Sequence, residues 1–439
     1  MADRKRSFGT FGLLLLATAL SVPIILVPSE WAGWIALYLT YVALVASSSV
    51  RRNPSCLAIG LLALIPHHAM AIAWAFFEFW GGDAEMFHAG AVARATGEQP
   101  WTLTVGADVY TDLLGALYYV LGPSRLLAAE TSILGFVLVF DCALWLAPRL
   151  AIARPQWLAY LLGLTPAAII FQSIPLREAW QMLFVLLMVK HSILLKELKR
   201  PRHLVVIILA AAGLAIQHRG LGVFAVSGTI ICVYWSLGAG IRGRYSYRAL
   251  SIPLAALLLA AAMAVPGYLG PVFEAMQTGS LDEYVYREME VRQDHGHHAR
   301  ASYRLVLDTS SWVSLLGSVP LAFLLYMCAP LPWQVRSFGD MYCSIEGIVR
   351  IVLVLLALYD LSRLRGELRS RAGLCLVLFF MLEFLWAMGT TNWGTAMRHH
   401  LPAYPLLLLT GGRRFFEGLP LRAPADALEL TDASDRFTA

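Results

Sequence analysis

Long apolar runs separated by short polar stretches extend over almost the whole chain. Many have the length that crosses the hydrocarbon core of a bilayer, roughly 17–25 residues. They predict transmembrane helices at 9–28, 31–49, 56–78, 126–147, 156–174, 178–195, 203–217, 220–237, 250–268, 346–362, 372–389 and 400–412, with a further apolar stretch at 312–330. The predicted fold class is all-α: a polytopic transmembrane helical bundle of about 12–13 spans with helical extracytoplasmic loops.

Basic residues predict the orientation, because cytoplasmic loops of membrane proteins are enriched in Lys and Arg. If the predicted spans alternate, one side receives the basic N-terminus and the basic stretches at 51–52, 149–154, 196–202 and 242–248. The segment 363–371 carries four arginines, whereas 331–345 carries one. We therefore expect 363–371 to be cytoplasmic, 312–330 to dip into the membrane or lie at its surface, and 391–400 to lie outside.

Two predicted extracytoplasmic segments, 79–125 and 269–311, are longer than the usual connections of about 4–6 residues. The first includes 106–121, a short apolar stretch interrupted by two aspartates, which predicts a helix lying on the membrane. We assign both loops to one transmembrane domain over 1–415. The polar segment 416–439 is predicted to be a cytoplasmic tail.

Composition supports membrane residence. The chain is 58% hydrophobic and 14% charged, whereas soluble domains carry about 25% charged residues. The net charge of +5 fits cytoplasmic loops, and no basic aromatic domain lies outside the apolar runs, so nucleic acid is not an expected partner. The six cysteines are scattered without a C-x-x-C motif and are predicted to be small buried apolar residues.

Polar residues collect on the predicted extracytoplasmic side, where basic residues are normally depleted. They are Asp83, Glu85 and His88 after the third span, Arg177 with Glu178, His218 with Arg219, and Asn392, Arg398 and His399. A single arginine at a helix end often only reaches toward lipid headgroups. Several fixed cations beside an acid pair suit a phosphate-bearing substrate, because Arg binds phosphate in a planar fork and a carboxylate can act as general base.

Other polar groups have simpler explanations. The histidines of the sequence HGHH at 295–298 have metal-ligand chemistry, but without a supporting shell of carboxylates we favour a charged loop. Within the predicted spans, His67 and His68 are expected to pack or to form hydrogen bonds. Asp141 and Glu383 are candidates for buried charges.

The stretch GDAEMFH at 82–88 resembles the first-loop acidic motif of membrane glycosyltransferases of the C superfamily. These enzymes take a sugar from a polyprenyl-phosphate carrier and transfer it outside the cytoplasm, with a first-loop carboxylate as base. Four short stretches are similar to bacterial multi-pass membrane proteins of the same layout: PLRE at 175–178, QHRG at 217–220, PLPW at 330–333 and NWGTAMRHHLP at 392–402. Here the acidic pattern is D-x-E, so the choice of base and a bridging metal stay open.

The resemblance implies a glycosyltransferase of the bacterial inner membrane. Its donor would be a polyprenyl-phosphate-linked sugar and its acceptor a cell-envelope glycan or lipid, with membrane lipids as surroundings. Asp83 would be the catalytic base, Glu85 a second acid, and His88 a further catalytic group. The substrate-binding group would be Arg177, Glu178, His218, Arg219, Asn392, Arg398 and His399. Of these, Arg177, Arg219 and Arg398 would hold the donor phosphate. No cofactor is implied apart from the open option of a divalent metal ion, with Glu85 as a ligand.

Two alternative functions remain open. An O-antigen-type polysaccharide polymerase or ligase also has many spans and outward arginines, and it needs no aspartate base. A transporter or flippase of lipid-linked glycans would line a path across the bilayer with its polar residues. This sequence concentrates them at one face, which favours an enzyme.

Overall fold

The computed structural model describes residues 27–77, 82–237, 301–302, 312–390 and 392–417. These ranges are helical and contain no β-strand, so the predicted all-α fold is confirmed. Several predictions lie outside the described residues: the first span, the 250–268 span, nearly all of the 269–311 loop with its histidines, and most of the 416–439 tail.

In chain order the described α-helices are α1 (Trp31–Ala46), α2 (Ser48–Arg51), α3 (Pro54–Phe77), α4 (Gly82–Ala95), α5 (Ala107–Leu121), α6 (Arg125–Leu146), α7 (Pro155–Leu164), α8 (Pro166–Phe171), α9 (Glu178–Leu198), α10 (Pro201–Gln217), α11 (Arg219–Leu237), α12 (Trp312–Cys328), α13 (Phe338–Arg363), α14 (Gly366–Gly389), α15 (Trp393–His400), α16 (Tyr404–Thr410) and α17 (Gly412–Glu417). Seven helices in the described ranges are long and apolar enough to cross a membrane: α1, α3, α6, α9, α11, α13 and α14. The chain is therefore a multi-pass membrane protein.

Two predicted spans are not single helices. The 156–174 stretch is divided between α7 and α8, because Thr165 adopts an extended conformation directly before Pro166. The residue before a proline disfavours the helical region, since the proline ring clashes with it. The 400–412 stretch is likewise a turn followed by the short helices α16 and α17. Whether 312–330 crosses the membrane stays a prediction.

The predicted first extracytoplasmic loop contains α4 and α5, packed against each other. Arg94 on α4 forms ion pairs with Asp112 and, at 3.0 Å, with Asp108 on α5. Close approach of the helices requires Gly115, where an added Cβ would lie 3.2 Å from the carbonyl oxygen of Ala91. This rigid pair holds the start of α4 above the bundle.

The centre of the bundle is occupied by α6 and α9, the two most buried of the seven long helices. Small residues let them approach closely: a Cβ added at Gly135 would lie 3.1 Å from that of Ala179. Such contacts are typical of helix packing in membranes, where apolar surface alone does not drive association. The start of α9 is thereby fixed at the end of the bundle that carries α4.

Each end of the bundle collects loops that the sequence assigns to one side of the membrane. At one end, Lys196 pairs with Glu367 at 2.7 Å and Arg371 pairs with Glu197 at 3.1 Å. These contacts join the two most basic predicted cytoplasmic loops. We call this the basic end, and we call the opposite end, where α4, α15 and the start of α9 meet, the site end.

Candidate functional site

Four segments that are distant in sequence meet at the site end. Asp83 is the second residue of α4, and Glu178 is the first residue of α9. Arg398 lies on α15, a short helix whose N-terminus is capped by Asn392 through a 2.7 Å hydrogen bond from the Thr395 N–H. The turn between α10 and α11 contributes the fourth segment.

Arg398 contacts two carboxylates, one exposed to solvent and one buried. Its Nη1 donates a hydrogen bond to Asp83 Oδ2, and its Nε lies 2.8 Å from Glu178 Oε1. The side chain of Asp83 is 53% exposed, whereas that of Glu178 is only 4% exposed. Glu178 raises the pKa of the Arg398 guanidinium, burial opposes this, and the Asp83 contact adds to the increase. Arg398 is therefore a fixed cation with one face buried and one face accessible.

Arg177 lies next to this pair and is itself buried. Its Nη1 donates to the carbonyl oxygen of Gln217, and its guanidinium carbon is 5.3 Å from the centre of the Phe87 ring. Burial lowers the pKa of Arg177, and the neighbouring Glu178 carboxylate opposes that shift. The Nε of Arg177 is buried without a hydrogen-bond partner. Arg177 thus anchors the start of α9 to the turn after α10.

Glu85 and His88 belong to a second cluster on another face of α4. Residues two apart on a helix point in different directions, so Asp83 and Glu85 do not share a partner. Glu85 forms a bidentate pair with Arg125, at 2.6 and 3.1 Å. His88 Nδ1 lies 2.7 Å from the Tyr118 hydroxyl, and burial lowers the pKa of His88. The catalytic roles of Glu85 and His88 stay predictions.

The histidines of the site end pack around a tryptophan. His399 stacks on Trp386 with ring centres 4.0 Å apart, and His218 meets the same indole edge-on at 4.7 Å. His399 Nδ1 lies 2.8 Å from the Thr390 hydroxyl. Arg219 begins α11 immediately after His218, and its convergence with the other arginines stays a prediction because its side chain lies outside the described ones.

Sequence reasoning missed Arg125 and Trp386. Arg125 follows the N-cap Ser124 of α6 on the predicted extracytoplasmic side, so its basic charge there was a usable signal. Trp386 is inside an apolar run and carries no polar signal at all. Across the residues that the structure describes, no group of three or more His, Cys, Asp or Glu is placed to hold a metal ion. A divalent metal ion with Glu85 as a ligand stays a prediction.

Other predicted polar residues lie inside the bundle, away from the site end. His68 Nδ1 lies 3.0 Å from Glu130 Oε1, and the His67 ring stacks on Phe136 at 4.2 Å. Asp141 accepts a 3.0 Å hydrogen bond from the backbone N–H of Ser49. These contacts agree with the packing and hydrogen-bonding roles expected of the histidine pair.

Comparisons of the chain with protein-family models, with curated proteins and with solved structures found no match.

Proposed function

We propose that this protein is a membrane glycosyltransferase that moves a sugar from a polyprenyl-phosphate-linked donor to a cell-envelope glycan or lipid acceptor. The reaction would take place on the extracytoplasmic side of the bacterial inner membrane. One observation carries the proposal: Arg398 links the half-exposed Asp83 to the buried Glu178 at one end of the bundle. The acidic stretch at 82–88, which resembles the first-loop motif of such enzymes, contains this aspartate.

Donor binding would activate the base by competition between the donor phosphate and Asp83 for Arg398. Before donor binds, Asp83 is held by the guanidinium of Arg398. A donor phosphate arriving at the accessible face of Arg398 competes with Asp83, while Glu178 keeps the guanidinium in place from the buried side. The carboxylate of Asp83 is then released beside the donor and is free to accept a proton.

Transfer then follows by displacement at the anomeric carbon. Asp83 takes the proton of the acceptor hydroxyl, and the acceptor oxygen forms a bond to the sugar carbon as the bond from that carbon to the phosphate oxygen breaks. The departing polyprenyl phosphate keeps the electron pair. Arg398 and Arg177 stabilise its negative charge, which is the interaction that matters most in the transition state.

The test is sugar transfer in proteoliposomes supplied with a panel of polyprenyl-phosphate-linked monosaccharides. Asp83→Asn is expected to lower transfer by ~10²–10⁴-fold, the usual cost of removing a general base. The matched control is Glu98→Gln, which neutralises an exposed carboxylate in the same loop and should leave transfer unchanged. Full activity in Asp83→Asn would exclude this aspartate as the base.

A transporter or flippase of lipid-linked glycans is the second candidate, and buried ionisable groups favour it. His400 Nδ1 lies 2.6 Å from Glu383 Oε2, and both side chains are at most 3% exposed. Ionisable residues inside membrane proteins often mark ion or proton pathways. If this function is correct, Glu383→Gln should stop movement of a fluorescent lipid-linked glycan across proteoliposomes, whereas Asp83→Asn should not.

A further inference from the structure

An open apolar groove runs along α14 at the basic end of the bundle. It has a volume of about 740 Å³ and lies between α11 and α14, lined by Ile230, Tyr234, Trp235, Gly373 and Val377 among others. Tyr234 is 62% exposed and Val377 is 46% exposed, so the groove opens sideways toward lipid. A second cavity of about 720 Å³ continues it toward the site end and shares Leu361, Gly373 and Val377.

Charge is present at only one end of this groove. Arg369 and Ser370 line the first cavity where it reaches the basic end, and the second cavity is lined by apolar residues and Ser227. Arg369 is exposed, and among the described residues it has no ion-pair partner. An arginine at the mouth of an apolar groove is placed to bind a phosphate by its planar fork.

Hydrogen bonds and an ion pair join α9, α11 and α14 at the mouth of the groove. The indole nitrogen of Trp235 donates to the Ser370 hydroxyl at 2.8 Å and to the Ser370 carbonyl oxygen at 3.0 Å. Lys196 Nζ lies 4.3 Å from the Trp235 ring centre and pairs with Glu367. Tryptophan and basic residues at one level are typical of the headgroup region of a membrane protein.

The depth of the groove matches one leaflet of the bilayer. Along α14 it extends from Gly366 to Val377, which corresponds to about 17 Å at the rise of an α-helix. One leaflet of the hydrocarbon core is about 15 Å thick, half of the whole. From Arg369 to Val377 the first cavity covers about 12 Å of α14. The second cavity continues it, so an acyl chain whose headgroup lies at Arg369 has room along the groove.

We propose that this groove binds an anionic glycerophospholipid, with its phosphate on Arg369 and an acyl chain between α11 and α14. The proposal does not depend on the glycosyltransferase assignment, because the groove lies at the opposite end from Asp83 and Arg398. Its function would be to hold α11, and with it the turn at His218, in a fixed position relative to α14.

The test is native mass spectrometry of the full-length protein released from nanodiscs of phosphatidylcholine containing a minority of phosphatidylglycerol. The wild-type protein should retain phosphatidylglycerol in preference to phosphatidylcholine. Arg369→Ala should lower this retention by about fivefold, the effect of one basic residue near an anionic headgroup. Arg365→Ala removes an exposed arginine of the same loop outside the groove and should have no effect.

A second variant tests the apolar part of the groove. An added Cβ at Gly373 meets only Leu361 Cδ1, at 3.9 Å, so the position has room for a Cβ and Gly373→Leu places a side chain in the groove. It should abolish selective retention. Gly317→Leu, at a glycine of α12 with open space around it, is the control and should retain the lipid.

Three outcomes would overturn the proposal. Equal retention of the two phospholipids by the wild-type protein would show that the groove does not select an anionic headgroup. Unchanged retention in both Arg369→Ala and Gly373→Leu would place the bound lipid elsewhere. Recovery of polyprenyl phosphate instead of phosphatidylglycerol from protein purified directly from native membranes, together with its loss in Arg369→Ala, would assign the groove to the carrier lipid.

Discussion

At the scale of single residues, the candidate site depends on Arg398. This guanidinium has a buried carboxylate on one side and an accessible one on the other, and the two contacts differ in energy. Breaking a buried ion pair leaves an uncompensated charge in a poorly solvated place, whereas an exposed pair contributes little. Glu178 should therefore hold Arg398 in position, and Asp83 should be free to exchange partners.

Substitution of Glu178 should mainly lower the stability of the protein, whereas substitution of Asp83 should mainly lower its activity. Glu178→Gln is expected to lower the free energy of unfolding by about 3 kcal/mol, because Arg398 loses its buried partner. Asp83→Asn should lower it by no more than about 1 kcal/mol, as for other exposed pairs, while it removes sugar transfer. Thermal and denaturant unfolding in detergent, alongside transfer assays, would measure both. Equal destabilisation by the two variants would contradict a division of roles.

The two arginines of the site should act together on phosphate. If Arg177 and Arg398 contact one anionic group, the losses in polyprenyl phosphate binding caused by Arg177→Ala and Arg398→Ala should not add. Residues that share a partner show interaction energies of ~0.5–3 kcal/mol. Lysine at either position should restore binding poorly, because a point charge does not reproduce the bidentate fork.

The control pair is Arg125→Ala combined with Arg398→Ala. Arg125 pairs with Glu85 in the second cluster, whereas Arg398 pairs with Asp83 and Glu178, so the effects of this pair should add. Additive losses for Arg177 and Arg398 as well, together with full rescue by lysine, would mean that each arginine contacts lipid headgroups separately.

The sequence predicted that Asp83, Glu178 and Arg398 lie at one end of the bundle, but it did not predict how they pair. Topology alone placed Asp83, Glu178 and Arg398 on one side, since each follows or precedes a span whose direction the basic loops define. The rotation of α4 decides which carboxylate faces Arg398, and that rotation depends on packing against α5. A spacing of two residues on a helix separates Asp83 from Glu85, which the sequence would have shown once 82–95 was recognised as helical.

At the scale of elements, the pair α4 and α5 determines where Asp83 sits. Arg94 contacts two aspartates of α5 that differ strongly in exposure: the Asp112 side chain is 3% exposed and that of Asp108 is 52% exposed. Asp112 also accepts a 2.7 Å hydrogen bond from the Leu103 N–H. It therefore links both helices to their connecting loop.

Asp112→Asn and Asp108→Asn form a matched pair of changes. We expect Asp112→Asn to destabilise the loop by about 3–5 kcal/mol, because it leaves the buried Arg94 without its buried charged partner and only with the exposed Asp108. Asp108→Asn should cost at most about 1 kcal/mol. Hydrogen exchange of the α4 and α5 amides would measure the difference. Similar protection in both variants would show that apolar packing alone holds the helices together.

Most helices could be predicted from the apolar pattern, because a run that must satisfy its backbone groups in lipid has no alternative to a helix. The pattern failed where prolines redirect the chain. The apolar pattern predicted one span where the structure has α7 and α8, although Thr165 before Pro166 was a sequence signal for a break. The apolar pattern likewise predicted a single span where the structure has α16 and α17.

At the scale of the whole molecule, the two ends of the bundle are defined by different chemistry. The basic end joins Lys196, Glu197, Glu367 and Arg371 by ion pairs. The site end joins Asp83 to Arg398. Between them α14 has 24 residues, about 36 Å at the rise of an α-helix, which exceeds the ~30 Å of the hydrocarbon core. The two sets of contacts can therefore lie on opposite sides of a membrane.

This arrangement predicts the sidedness of three positions. In a background without the native cysteines, we would introduce Glu98→Cys in the first loop, Gly394→Cys at the start of α15 and Arg365→Cys in the basic loop; all three positions are exposed. A membrane-impermeant maleimide added to intact spheroplasts should label the first two positions. It should label the third only after the membrane is permeabilised. Because Arg398 contacts Asp83, positions 98 and 394 must react from the same side whatever the orientation of the bundle. Labelling of position 394 only from the cytoplasm, with position 98 labelled from outside, would separate α15 from α4 and exclude the shared site on which the transferase proposal rests.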